Sequence, residues 1–556
     1  MRHSWRSGLW LVAIMAFLGG CAHTTNVPLC REGASGTRSG CDYDPDPASS
    51  YRFSPTADRD TLVIVTLSGG GTRAAALAFG TLQMLSTLEG TKGNSLLDQV
   101  DVLSSVSGGS VTAGWYALKG RAGLAEGGEQ GKLWDFLHGD WTGQLAWEGL
   151  NPLALARYTF TPFTRSDVLA NFFADHLYGD ATFADVFRRY KSDRTQPYVI
   201  LNATDLGHET IFPFTQGRFD LLCSDLLKYR LADAVAASAN FPLAFSALGL
   251  QNFSGCPLQA GSAWNSSGPP QWLHHYDQFD RAATPAVHSF GLTEVREARL
   301  ADDYLQSPSY RDRDKYIHLL DGGVSDNLGI RSTLAMEDDP ARVPGLYLRL
   351  GADRRPDGYQ NVSRVLYIVV NARTRDPGGI DVRENPPGEI KTALRMVDTQ
   401  LDTSTLADQD FLIAELEAAA NRATGSSNPA KPSEPDPACP GARNDGAISQ
   451  DGSTFLSCDP NAQARNPAPK NKLQFYVVSV DFEMIPDKSC RDAYWLLGTN
   501  WGLKPNEIKG LVEVAKVILS RSPDLAWFYL DRNGQLPPQL KTPTEFAEPC
   551  SLVSSK

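Results

Sequence analysis

Apolar positions follow two rhythms along this chain. Leu62 to Leu67 is an unbroken apolar and β-branched run, the pattern of a strand buried on both faces, and from Ala74 through Leu77, Phe79, Leu82, Met84 and Leu85 the spacing becomes helical. Between them stands Ser68-Gly69-Gly70-Gly71-Thr72-Arg73. The same succession recurs at once: a strand over 99–106, then Ser107-Gly108-Gly109, then a helix beginning near Ser110. Further strands are predicted at Tyr198 to Leu201, at Tyr316 to Leu320, at Leu346 to Leu350, at Val365 to Val370 and at Leu473 to Phe482, with a hairpin through Thr210 to Thr215. Helical patterns fill most of 111–195, run into Ala236 before Pro242, and return over Gly388 to Ala423 and Pro505 to Leu519. Strands alternating with helices predict one layered α/β unit. Two stretches rich in Gly, Pro, Ser and Asn, near 250–312 and 424–471, lack periodicity and read as insertions.

Each of the two glycine corners suits a chemical task. Three successive glycines let backbone N–H groups turn outward at a helix N-terminus, where the helix dipole also favours negative charge. A serine on the tight turn between a strand and a helix, as Ser107 is, has the setting of a nucleophile elbow. A serine hydroxyl needs a base within hydrogen-bond reach and donors for the charge that develops on the attacked oxygen. All nine histidines lie at or before His318. His208, His274, His275 and His288 remain open as bases, but none sits in a strand-end turn backed by glycines, whereas Asp321-Gly322-Gly323 does.

Taken in order, Ser68 to Arg73, Ser105-Val106-Ser107-Gly108-Gly109 and Asp321-Gly322-Gly323 resemble the three motifs of the patatin-like phospholipases, and Asn202 to Leu206 and Ala237 to Phe245 resemble blocks between them. The resemblance is strong over about 60–335. It implies a three-layer α/β/α sandwich with insertions over 61–556, and hydrolysis of a phospholipid or related acyl ester through a Ser-Asp dyad. Ser107 would be the nucleophile, Asp321 the base, and the N–H groups of Gly70 and Gly71 the oxyanion donors. Arg73 falls where related phospholipases approach substrate phosphate; anchoring the glycine turn is the other reading of it. The family elbow begins with glycine where this chain has Ser105, which leaves open an inactive envelope protein that keeps the fold to bind lipid or a partner. Ser104, Ser105 and Ser110 are nearby decoy hydroxyls, Asp326 is a decoy carboxylate, and Asn202 and Asp205 read as structural Asx residues. No acidic loop has calcium-ligand spacing, so no cofactor and no metal are expected.

The N-terminus adds an address. Arg2 and Arg6 precede an apolar run, Gly8 to Leu18, too short to span a bilayer, and Leu18-Gly19-Gly20 places small residues before Cys21. This resembles a bacterial lipoprotein signal, with residues 1–20 removed, Cys21 lipidated and the protein held in the cell envelope, at the outer membrane. Residues 22–60, poor in apolar side chains, read as a flexible tether. Removing 1–20 takes away two arginines and no acid, moving the formal net charge from −12 to −14. That balance disfavours nucleic acid and electrostatic adhesion to anionic lipid, so acyl chains would carry the membrane attachment.

Nine cysteines less Cys21 leave eight, an even number that in an exported chain predicts disulfides over a metal site. Sequential pairing joins 30 with 41, 223 with 256, 439 with 458 and 490 with 550. Last, Trp134, Phe136, Trp141 and Trp147 crowd into one stretch, which reads either as core or as a lid or lipid-facing surface.

Overall fold

A computed structural model describes residues 24–32, 38–41, 50–54, 59–91, 93–128, 130–242, 244–253, 315–334, 361–374, 388–423 and 473–554. The strands are β1 (Cys30–Glu32), β2 (Arg38–Cys41), β3 (Thr61–Leu67), β4 (Val102–Val106), β5 (Tyr198–Asp205), β6 (Thr210–Pro213), β7 (Leu248–Gln251), β8 (Tyr316–Asp321), β9 (Arg364–Asn371) and β10 (Gln474–Asp481). The helices that matter most for the site are α1 (Gly71–Thr87), α2 (Gly108–Lys119), α3 (Thr142–Leu150), α4 (Arg165–Phe173), α5 (Leu231–Ser238), α6 (Glu389–Ala423), α7 (Lys488–Trp495) and α8 (Pro505–Ser520).

The main sheet runs β10-β9-β3-β4-β5-β8-β7, with β6 also pairing β5. From β10 to β5 the strands are parallel; β6 and β8 lie antiparallel to β5, and β7 antiparallel to β8. Parallel strands need cover on both faces. Successive residues of β4 show how the cover is divided, because side chains alternate across a strand. The hydroxyl of Ser105 meets Ser110 of α2, while that of Ser104 bonds the carbonyl of Gly329 and the hydroxyl of Ser332 on the opposite face. Helices α2 and α5 thus lie on one side, and the turn after β8, braced by α6, on the other. This is a three-layer α/β/α sandwich. The C-terminal third belongs to it, since β9 pairs β3 and α8 packs along α1. No helix among the described residues is long and apolar enough to cross a membrane.

One further register relation sets up the site. At Asn202 the neighbours of β5 are Val106 and Pro213, and at Ala203 they are Phe212 and Asp321. Since β6 takes one edge throughout, β4 and β8 share the other edge end to end. Parallel β4 and antiparallel β8 therefore terminate against each other.

Two expectations need correction, and one open alternative divides. The segment over 22–60, expected to be a tether, is packed where it is described: Leu29, Tyr51 and Phe53 are buried, Arg52 is ion-paired with buried Asp220, and Asn26 bonds the backbone of Gln251. A few well-placed aromatic residues outweigh its polar composition. The insertion expected from residue 250 begins with the end of a regular strand, β7, whose short run Leu248 to Gln251 is ordered by pairing with β8 rather than by its own periodicity. The aromatic stretch divides: Trp134, Phe136 and Trp141 pack into the core, whereas Trp147 is 68% exposed.

Cys490 and Cys550 form a disulfide, joining α7 to the C-terminal helix Ala547–Ser554. Cys30 and Cys41 are cross-strand partners in β1 and β2. Cys21, Cys256, Cys439 and Cys458, the strand at Leu346 to Leu350, the insertion over 424–471 and His274, His275 and His288 lie outside the described residues.

Candidate active site

The second glycine corner is sharp. Ser107 leaves β4 at φ 49° and ψ −118° before α2 starts at Gly108, a backbone state that costs a residue bearing Cβ on the order of 1–3 kcal/mol. Its surroundings hold it there: the Ser107 N–H donates to Ser238 Oγ at 2.9 Å, and the Ser107 carbonyl accepts from the Ser110 N–H at 2.9 Å. Ser238 in turn donates to the Asn202 carbonyl, which ties the corner to β5. The two corners also touch. A Cβ on Gly108 would lie 2.0 Å from the Gly71 carbonyl oxygen, so only glycine lets them approach.

The first corner is stapled from outside. Ser68 N–H bonds Val370, Gly69 N–H bonds Asn327 and Thr72 N–H bonds Asn500, all through backbone carbonyls. Gly70, at φ 137°, caps α1, and Gly71 is its first residue. Among the described residues no acceptor takes the N–H of either. Two backbone donors at a helix N-terminus are thus left facing a cavity that Ser107 also lines.

Asp321 ends β8 on its inward-facing row with Ile317 and Leu319, whereas His318 falls on the other row and is exposed. Its backbone N–H donates to the Asn240 carbonyl. Of the carboxylate oxygens, Oδ1 accepts from the Gly323 N–H at 2.9 Å and Oδ2 from the Ser107 hydroxyl at 2.7 Å. Burial pushes this carboxyl from 3.8 up to about 6, against the lowering effect of those two hydrogen bonds. A buried carboxylate one hydrogen bond from a serine hydroxyl is placed to accept its proton.

The alternatives have other work. His208 is bound to Asp205 at 2.8 Å in the hairpin beyond β5 and does not line the cavity. Asp326 accepts from the N–H groups of Leu328, Gly329 and Arg331, holding the turn after β8. Burial raises its carboxyl, and burial together with the Asp326 charge raises that of Asp408 against the opposing effect of Arg331. Asn202 holds Ser104 and the backbone of Ser105. Ser105 itself, where a glycine was expected, is accommodated by bonds to Ser110 and to the Ile200 carbonyl.

Arg73 is 2% exposed. Its guanidinium donates to the carbonyls of Ala372 at 2.8 Å and Leu497 at 2.6 Å and to Thr499 Oγ1 at 3.1 Å. These bonds join the glycine corner to the end of β9 and to the loop after α7, and Arg73 also lines the cavity, so both readings of it keep a structural basis.

Sequence reasoning missed Ser238 and Asn240, which position Ser107 and Asp321 through their main chains. A serine and an asparagine bracketing the end of an otherwise alanine-rich helix were the available signal. It also missed the far wall. The cavity, about 1390 Å³, is floored by Gly70, Gly71, Ser107 and Asp321, and walled by α3, α4, α6 and the loop Trp495 to Trp501. Apolar Leu145, Val168, Phe245, Leu401 and Trp495 share the lining with Arg165, Arg373, Arg395 and the ion-paired Lys488 and Asp492, a mixture of apolar and charged groups that suits an amphiphile.

No curated protein matches the chain. Among solved structures, a match is found to human GIVD cytosolic phospholipase A2, at 14% identity and a TM-score of 0.37, over 85% of this chain. The chain spans 61% of that structure's length. The family model described as patatin-like phospholipase matches residues 65–334, from the middle of β3 through the turn after Asp321. Over that segment, just under half of its length, the chain is similar to the patatin-like phospholipases.

Proposed function

We propose that the protein hydrolyses the acyl ester bonds of phospholipids or closely related lipids, with Ser107 and Asp321 as its catalytic pair. The observation that carries this reading is the 2.7 Å hydrogen bond from Ser107 Oγ to Asp321 Oδ2 on the floor of a large amphiphilic cavity. As Ser107 Oγ attacks the ester carbon, Asp321 takes its proton, and charge gathering on the carbonyl oxygen meets the N–H groups of Gly70 and Gly71. Collapse expels the alcohol, which recovers the proton from Asp321. Water then attacks the acyl-serine, Asp321 accepts its proton, and the fatty acid leaves as Ser107 Oγ is reprotonated.

A fluorophosphonate probe combined with fatty-acid release from defined phospholipids tests this directly. Labelling of wild type and its loss in Ser107→Ala, with release lost in parallel, is the expected result. A wild-type protein that neither labels nor releases fatty acid would favour the inactive, lipid-binding reading that Ser105 suggests. The lipobox-like run ending at Cys21 supports an acyl-anchored protein of the bacterial envelope as part of the same proposal.

A further inference from the structure

The helix pair beside the cavity mouth is built inside out. Its first member, α3, turns Leu145, Ala146 and Gly149 into the cavity, but Trp147 and Leu150 stand 68% and 55% exposed. The second member, Pro152–Phe160, follows after Asn151, whose side chain caps it by accepting from the Ala154 N–H and also bonds back to the Trp147 carbonyl. On this second helix Ala154 and Tyr158 are the buried residues, and they pack with Val168 and Phe163 in a small cluster separate from the main core. The opposite stripe, at i, i+4 and i+7, is Leu153, Arg157 and Phe160, with Leu153 71% and Phe160 84% exposed. An ordinary surface helix would be polar there.

Position gives this face a partner. Leu150 belongs both to it and to the cavity lining, and Leu496, 53% exposed, answers it in the lining from the loop after α7. The apolar surface is therefore continuous with the route to Ser107. Of its cations, Arg157 on the exposed stripe lies over the Phe163 ring, while Lys488 at the lining is ion-paired with Asp492; Glu148 is held by Gln144. Aromatic and aliphatic tips among basic groups match the boundary of a bilayer, where acyl chains begin and phosphates accept hydrogen bonds. With the whole chain at −12, contact by burial of these side chains is favoured over long-range attraction to anionic lipid.

We propose that Trp147, Leu153 and Phe160 form a docking face that seats the cavity mouth on a phospholipid bilayer, so that substrate enters from the membrane past Leu150. This rests on the lipid-hydrolase reading above for its substrate, but the docking itself can be measured without any hydrolysis.

The full chain is mixed with phosphatidylcholine vesicles whose acyl chains are brominated, which quench tryptophans that reach the acyl region. Part of the wild-type emission should be lost, and in Trp147→Phe that quenching should largely vanish. Separately, Leu153→Ser combined with Phe160→Ser should lower hydrolysis of vesicle phospholipid by about tenfold or more, with unchanged kcat/KM on a soluble short-chain ester, because apolar contact with the bilayer scales with buried area. The unchanged ester rate also shows that the variant is folded. Quenching in Trp147→Phe equal to wild type, or full vesicle hydrolysis by the double variant, would overturn the proposal. So would a wild-type dimer that the double variant turns into a monomer, which would assign the face to a second copy of the chain. If wild type hydrolyses nothing and Trp147 is still quenched, docking stands and the hydrolase reading falls.

Discussion

Ser107 and Asp321, 214 residues apart in sequence, meet at 2.7 Å because β4 and β8 end against each other along one edge of β5. Neither strand alone specifies the contact. It is produced by register, and it follows that the two side chains should behave as one device.

Ser107→Ala should lower ester hydrolysis by on the order of 10⁴-fold or more, with Asp321→Asn within about tenfold of it, and the double variant should be little worse than either. Steady-state kinetics on a soluble ester measures all three. His208→Ala and His318→Ala should stay within a few-fold of wild type, since one is held by Asp205 and the other is exposed on the far row of β8. An active Asp321→Asn beside an inactive histidine variant would replace the dyad by a triad.

The raised carboxyl of Asp321 sets an acid limb. Only the carboxylate can accept a proton, so kcat/KM in the free enzyme should fall as pH drops through about 6 and level off above it. Stability has the opposite sign. Between 3.8 and about 6 the folded protein holds this proton more tightly than the unfolded chain does, so Asp321 makes folding progressively less favourable as pH rises through that window. Asp321→Asn should therefore gain stability relative to wild type from pH 4 to 7, read as a rising difference in urea midpoint.

Arg73 separates anchoring from phosphate recognition. Removing its guanidinium leaves the buried carbonyls of Ala372 and Leu497 without this donor, so Arg73→Ala should cost on the order of 3 kcal/mol in urea unfolding. Activity on phospholipid and on a short ester lacking phosphate should fall together. Loss confined to the phosphate-bearing substrate would return Arg73 to the substrate.

The Cys490–Cys550 bridge closes a 60-residue separation and braces α7, from which the cavity wall Trp495 to Trp501 continues. Replacing both cysteines by serine should cost about 2–5 kcal/mol, seen as an earlier denaturant midpoint. Activity should be lost at lower denaturant than far-ultraviolet dichroism.

Cys21→Ser tests the proposed anchor. Membrane-fraction protein should fall sharply, or an unprocessed precursor should accumulate, because two or more acyl chains are needed for stable attachment. Normal processing with unchanged retention would remove the lipoprotein reading.

What the sequence determined by itself was what short-range physics encodes. The run Leu62 to Leu67, the long helix ending at Ala423 and the capped start at Pro505 each carry their periodicity or breaker residues within one segment, and the structure places β3, α6 and α8 there. The glycine corners were legible for the same reason, since a sharp strand-to-helix turn makes local demands on φ and on space. Tertiary structure decided what depends on partners far along the chain. Pairing with β8 made a strand of Leu248 to Gln251, burial against Asp220 and the sheet fixed Arg52 and its aromatic neighbours in a segment that reads as tether, and two distant carbonyls hold the Arg73 guanidinium. Tertiary packing likewise sorted four similar aromatic residues, drawing Trp134, Phe136 and Trp141 into the core and leaving Trp147 exposed. Packing energy is a sum over neighbours that the chain brings together only on folding, so no local pattern could have told those residues apart.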